Sequence, residues 1–153
     1  MALEIERKFL VKGDYKAHES GSVHIVQGYL NLDKARTVRV RMKGDKGFIT
    51  VKGATNGVSR FEWEKEIPAQ DAAGLLTLCT SVIDKTRHLV PMPDGHLFEV
   101  DEFHGDNDGL VMAEVELGSE DEVFERPDWL GEEVSHDHRY YNSQLAINPF
   151  KNW

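Results

Sequence analysis

With a single cysteine, Cys79, the chain cannot form an intrachain disulfide, so its fold must rest on packing. Long apolar runs are also missing. Nothing approaches the roughly 20 residues of a membrane-spanning helix, so no membrane partner is expected. The first eight residues already carry Glu4, Glu6, Arg7 and Lys8, which does not read as a secretory leader. Basic residues are in short supply, with 18 Lys and Arg against 27 Asp and Glu, a net charge of -9. A surface of that sign repels phosphate backbones and anionic lipid, so no nucleic-acid partner is expected either. There is no internal repeat, linker or low-complexity stretch. What remains is a soluble globular balance, 40% hydrophobic and 29% charged, over 153 residues. That length has room for one domain, and a cytoplasmic location is the expectation.

Period-two alternation dominates and predicts eight strands, over residues 3–11, 23–31, 36–43, 47–52, 59–67, 82–90, 96–103 and 110–117. Turn signals at residues 44–47, 91–95 and 105–109 join neighbouring strands as hairpins. Eight short strands with tight turns suggest an antiparallel barrel or two packed sheets. Helices are few. Pro68 introduces a helix over residues 69–79, with Cys79 on its apolar side. Ser119 to Glu122 has the form of a capping box and predicts a short helix that Pro127 ends. Ser135 is the expected N-cap of a C-terminal helix over residues 135–146.

Alternation also sorts the charges onto faces. Glu4, Glu6 and Lys8 share one face of the first strand, and Arg39 and Arg41 share one of the third. Thr50 and Lys52 align on the fourth strand, and Arg60, Glu62, Glu64 and Glu66 on the fifth. Lys85 aligns with Arg87, Glu99 with Asp101, and Glu114 with Glu116. Any one such face is most simply a solvated one. Like charges two residues apart on one face are unfavourable, however, unless opposite charge lies between them. If the strands close around an interior, three carboxylate pairs converge there and call for hard divalent cations, Mg2+ or Mn2+. The Arg and Lys side chains in the same interior then call for a polyanion, and phosphate oxygens satisfy both demands. This arrangement puts the apolar faces outside, with Phe61, Trp63 and Phe98 packed beneath helices.

The opening EIERK, with Glu4, Glu6 and Lys8 at alternate positions, resembles the ExExK signature of the CYTH domain, or triphosphate tunnel metalloenzyme, superfamily. The similarity continues in order through QGYL (27–30), VRVR (38–41), ITVKG (49–53), SRFEWE (59–64), DKTR (84–87), FEVDEF (98–103), AEVEL (113–117) and WLGEEVSHDHRYYN (129–142). The resemblance implies an eight-stranded antiparallel β-barrel forming a tunnel with a charged interior and helices packed outside, a mainly β (α+β) fold, as one domain over residues 1–153. It implies that Glu4, Glu6, Glu62, Glu64, Glu114 and Glu116 bind divalent metal, two ions of Mg2+ or Mn2+. It implies that Lys8, Arg39, Arg41, Lys52, Arg60, Lys85 and Arg87 clamp the triphosphate. Tyr29 matches the family tyrosine proposed as proton acceptor, although a tunnel-lining hydrogen-bond donor is an equal reading, and Lys85 is the second catalytic candidate. Asp101 is a weaker candidate, for which pairing with Arg or Lys serves as well.

One departure is His88 after KTR, where relatives often carry an aromatic; alternation turns it away from Lys85 and Arg87. His136 and His138 read as surface residues. The implied activity is metal-dependent hydrolysis of a small-molecule polyphosphate, foremost inorganic tripolyphosphate to pyrophosphate and phosphate. The alternatives are a class IV adenylate cyclase, a thiamine or nucleoside triphosphatase, and a polyphosphate-binding module without turnover. A homodimer is left open.

Overall fold

Two antiparallel meanders and one inserted strand build the barrel. The computed structural model describes residues 2–153. The first meander runs β2 (Gly21–Asn31), β3 (Arg36–Lys43), β4 (Lys46–Gly53) and β5 (Ser59–Ile67). Helix α1 (Ala69–Leu76) then carries the chain across to β6 (Val82–Pro91), which pairs with β2. β6, β7 (Leu97–Phe103) and β8 (Val111–Glu116) form the second meander. The N-terminal strand β1 (Ala2–Val11) lies between β8 and β5 and pairs with both, closing an eight-stranded antiparallel barrel. The β3–β4 hairpin turns on Gly44 with φ of 62°, a left-handed conformation that glycine adopts without strain.

A ninth strand, β9 (Leu130–Glu133), adds to β1 beyond its contact with β5. Its four residues are too short to show alternation. Gly131 permits the approach, since a Cβ there would sit 2.8 Å from the Leu10 carbonyl oxygen.

The outer faces carry the apolar core, as the strand faces predict, but loops rather than helices cover most of it. Ile5, Phe9, Val90, Phe98, Val100, Ala113 and Val115 pack against Tyr15, Leu117, Phe124, Trp129 and Leu130. The helix expected after Ser119 does not form. Ser119 Oγ instead donates to Asp121 (2.9 Å), and Glu122 accepts from the Gly118 amide (2.8 Å). Phe124 packs edge-on to Phe9 and Phe98, and the residues around it adopt no regular structure. The C-terminal helix also differs from expectation. The Ser135 hydroxyl accepts the Lys8 amide at 2.9 Å instead of capping a helix, and only a 3-10 turn at His138–Tyr140 and α2 (Asn142–Leu145) follow. Leu145 enters a second cluster with Ile83, Phe103, Leu110, Met112 and Val134, in which Ile83, Phe103 and Met112 share the inward faces of Lys85, Asp101 and Glu114 and fill one end of the barrel interior.

Helix α1 packs on β2, β3 and β4, with Ala72 seated over Gly47, where a Cβ would come within 2.7 Å of the alanine methyl. It does not reach the outer face of β5. Phe61 and Trp63, expected beneath helices, are therefore 39% and 41% exposed, whereas Phe98 is fully buried. Cys79 lies past the end of α1, half-buried against Gly28 rather than in the core.

Candidate active site

Most of the charged side chains that alternation turned inward line one cavity of about 230 Å³, although Glu66 and Asp101, on the same faces, are not part of its lining. Glu4, Glu6, Glu62, Glu64, Glu114 and Glu116 are there, with Lys8, Arg39, Arg41, Lys52, Arg60, Lys85, Arg87 and Tyr29. The two signs are concentrated on different walls, with Lys8 on β1 and Arg60 on β5 as the cations that stand among the glutamates. β8, β1 and β5 are neighbours in the barrel, and they bring all six glutamates together; Glu6 stands opposite Glu116 across the β1–β8 ladder. β4, β3, β2 and β6 form the facing arc, which supplies Lys52, Arg39, Arg41, Tyr29, Lys85 and Arg87.

On the acidic wall, lysines stand between the carboxylates. Lys8 Nζ donates to Glu6 (2.9 Å) and Glu114 (3.2 Å), and Lys52 Nζ to Glu4 (3.0 Å), with Glu62 at 3.4 Å. Burial works against the Glu6 carboxylate, but Lys8, Lys52 and a hydrogen bond with Glu114 together hold the group down at about 2. Burial likewise opposes the Lys8 charge, and Glu114 and Glu6 hold it well above the usual lysine range. Glu4 and Glu116 go the other way. Burial raises Glu4, aided by a hydrogen bond to Glu62; burial raises Glu116, aided by the charges of Glu4, Glu6 and Glu99. Among the described residues, no three His, Cys, Asp or Glu side chains gather into a coordination sphere as they stand. The ammonium groups hold the carboxylates apart. An oxygen-only donor set, crowded enough to resist full ionisation, suits a hard divalent cation, which would supply the missing positive charge.

On the basic wall the cations are held by partners. Arg87 makes a forked pair with Asp101 (2.8 and 2.9 Å) and reaches Glu99 (3.3 Å), while Lys85 contacts Asp101 at 2.6 Å. Asp101 therefore serves as the structural partner of the two cations. Burial opposes its charge, but Arg87 and Lys85 bring it down to about 2. Burial lowers Lys85 to about 7; Asp101 resists this, and the neighbouring charges of Arg87 and Arg41 favour it. Arg41 is lowered to about 9 by burial and by Arg39 and Arg87. Gln27 Oε1 accepts both Arg41 Nε (2.9 Å) and Nη2 (2.7 Å), and Gln27 Nε2 donates to the Tyr29 hydroxyl (3.2 Å). Arg39 donates to Thr50 (3.2 Å), which in turn donates to Glu64 (2.9 Å). Arg60 is turned by the Gly53 carbonyl (2.9 Å).

Several of these holding groups were not singled out from the sequence. Gln27 lies two residues before Tyr29 on the same face, so alternation carried the signal. Asn142 and Tyr141 had none, because they reach the cavity from an irregular segment. His88 faces outward as expected, hydrogen-bonded to Glu19 and edge-on to Tyr15. Tyr29 and Tyr141 are the aromatic side chains of the lining, and Tyr141 is engaged by His138 (centroids 4.9 Å) and by Lys8 Nζ, 5.4 Å from its ring.

The chain that builds this barrel has known counterparts. The CYTH domain model matches residues 2–144. The chain belongs to the CYTH domain family. An inorganic triphosphatase of Acetivibrio thermocellus is 50% identical over 156 residues, covering 100% of this CYTH chain and 99% of the relative. An inorganic triphosphatase of Nitrosomonas europaea is 40% identical, covering 95% and 97%. A crystal structure of an inorganic triphosphatase, 37% identical, superposes with a TM-score of 0.68 over 96% of each chain.

Proposed function

We propose that this CYTH chain is a metal-dependent hydrolase that cleaves inorganic tripolyphosphate to pyrophosphate and phosphate. The observation that carries the reading is the divided lumen, an oxygen-rich acidic wall facing a fixed array of cations in one cavity. It is supported by full-length relatives, at 50% and 40% identity, that are inorganic triphosphatases.

Glu4, Glu6, Glu62, Glu64, Glu114 and Glu116 would hold Mg2+ or Mn2+, two ions in all. The bound ions supply charge neutralisation and a water acidified enough to attack phosphorus. Arg39, Arg41, Lys52, Arg60 and Arg87 neutralise the non-bridging oxygens, so that the extended polyanion lies along the basic wall. Their partners fix these side chains before substrate arrives, which lowers the cost of ordering them on binding. Lys8 adds positive charge from the acidic wall. Lys85, buried and held by Asp101, stabilises charge at the attacked phosphoryl group. Tyr29 stands opposite Arg39 in the β2–β3 ladder, and its hydroxyl, held by Gln27, accepts or relays the proton of the attacking water.

The test is phosphate release from tripolyphosphate, ATP and pyrophosphate in parallel, with Mg2+ and with excess EDTA, and with cyclic AMP assayed from ATP. The expected result is the highest kcat/KM on tripolyphosphate, products of phosphate and pyrophosphate, and no turnover in EDTA. Cyclic AMP as the main product, with tripolyphosphate acting only as an inhibitor, would transfer the assignment to a cyclase. Tight tripolyphosphate binding without turnover would make the chain a binding module.

A further inference from the structure

Residues 135–146 were expected to be a helix outside the barrel; the segment from Val134 to Leu145 spans one end of the lumen instead. At one end it is fastened to β1, where the Val134 amide donates to the Lys8 carbonyl (2.8 Å) and the Lys8 amide donates to Ser135 Oγ (2.9 Å). At the other end Asn142 Oδ1 accepts from Lys85 Nζ on β6 (2.9 Å) and from Gln27 Nε2 on β2 (3.1 Å). In the barrel order β6 lies three strands from β1 by way of β8 and β7, and β2 lies four strands away by way of β5, β4 and β3. The segment therefore ties opposite walls together, and Tyr141, Asn142 and Ser143 line the cavity between them. Leu145, 1% exposed, anchors it beyond Asn142, and the Ser81 hydroxyl binds the Ala146 carbonyl (2.6 Å).

The hydrogen-bond directions in this network have one solution. Lys85 has only donors, so the Asn142 atom it meets must be oxygen. Arg41 has only donors as well, so the Gln27 atom that receives both its Nε and its Nη2 must be oxygen, which leaves Gln27 Nε2 to donate to Asn142. Two neutral amides thus relay between two cations, in the order Lys85, Asn142, Gln27, Arg41. Each cation is aimed by an acceptor that brings no negative charge to the cavity. The Asn142 NH2 group is left over from this relay and adds a further donor to the lining. A carboxylate at the same place would also accept these bonds, but it would repel a polyanion.

We propose that Asn142 is a positioning residue for the basic wall: its amide oxygen sets the direction of Lys85 and, through Gln27, of Arg41. This rests on the tripolyphosphate reading for its kinetic consequences and on the network alone for its effect on binding. Without Asn142, Lys85 keeps Asp101 as its only oxygen partner and collapses toward it, while Gln27 is free to swing away with Arg41. The groups remain present but lose their aim.

The experiment compares Asn142→Ala, Asn142→Asp, Gln27→Ala and the Asn142→Ala/Gln27→Ala double variant. Steady-state kinetics on tripolyphosphate with Mg2+, calorimetric binding of tripolyphosphate in EDTA, and melting temperature are measured for each. Asn142→Ala should lose about tenfold or more in kcat/KM while its melting temperature moves only a few degrees. Asn142→Asp, which keeps shape and acceptor, should recover kcat relative to Asn142→Ala but show a higher KM and weaker binding in EDTA. The double variant should be little worse than the poorer single variant, because both substitutions break one relay. Wild-type kcat/KM in Asn142→Ala, no recovery of kcat in Asn142→Asp, or losses that simply multiply in the double variant would each overturn the proposal. Should the wild-type chain bind tripolyphosphate without hydrolysing it, the hydrolase reading falls. The relay is then judged on binding in EDTA, where an unchanged affinity in Asn142→Ala overturns it.

Discussion

The two walls of the tunnel solve opposite problems. The basic wall is almost fully hydrogen-bonded, with Arg39 Nε its buried atom that lacks a partner among the described residues. Arg87 has Asp101 and Glu99, Arg41 has Gln27, Arg39 has Thr50, and the side chains of Arg87, Arg41 and Lys85 are buried. The acidic wall is short of positive charge. Lys8 and Lys52 serve four of its glutamates, while Glu4 and Glu116 are pushed toward their neutral forms by burial and by other carboxylates. A wall whose cations are already hydrogen-bonded and aimed, and still outnumber their acidic partners, can receive a polyanion without rearranging. A wall that is short of positive charge needs an added ion before a polyanion can lie against it. On the proposed function, the contrast would give substrate recognition mainly to β2, β3, β4 and β6 and metal capture to β1, β5 and β8.

Breaking the acidic wall should have the larger effect. Glu6→Gln removes a carboxylate but keeps its volume, and turnover of tripolyphosphate should fall by about a hundredfold or more at saturating Mg2+. Circular dichroism and melting temperature should show a preserved fold, and near-normal turnover would remove Glu6 from the metal wall. Next in size is the basic wall. Arg41→Ala should raise KM by about tenfold or more with a smaller change in kcat, since it removes a forked contact to phosphate. A loss confined to kcat would place Arg41 at the transition state instead.

A smaller effect comes from Lys85. Its value of about 7 in the free tunnel must rise when a polyanion lies beside it. Binding therefore takes up a proton in the window above pH 7, and affinity falls as pH rises through that window. Calorimetry in two buffers of different ionisation enthalpy reads the uptake directly; identical apparent enthalpies at pH 8 would contradict it. Smallest of all is a change outside the barrel. Trp63→Thr keeps strand propensity on an exposed outer face, so stability should change by less than about 1 kcal/mol and kinetics not at all.

The barrel and its lining were legible because they depend on a period of two. Glu4, Glu6 and Lys8, or Arg39 and Arg41, cannot share a face of an inward-turned strand without entering the same lumen. Gln27 was legible by the same rule, two residues before Tyr29. What stayed hidden depends on contacts distant in sequence. Ser135 reads locally as an N-cap, yet the Lys8 amide, 127 residues away, claims its hydroxyl. Ser119 and Glu122 have the letters of a capping box, but Ser119 bonds Asp121, Glu122 bonds the Gly118 amide, and Phe124 packs into the outer core. β9 is too short to carry a pattern, and its place follows from Gly131 meeting Leu10. Asn142 reaches the cavity only because the segment around it failed to become a long helix.

The division of labour between the walls is tested most directly by titrating Mn2+ and tripolyphosphate separately into Glu6→Gln and Arg41→Ala. Water-proton relaxation follows Mn2+ in the absence of substrate, and calorimetry in EDTA follows tripolyphosphate. Glu6→Gln should lose Mn2+ affinity by about tenfold or more while retaining tripolyphosphate binding, and Arg41→Ala should do the reverse. Equal weakening of both ligands by both substitutions would contradict the assignment of metal to one wall and substrate to the other.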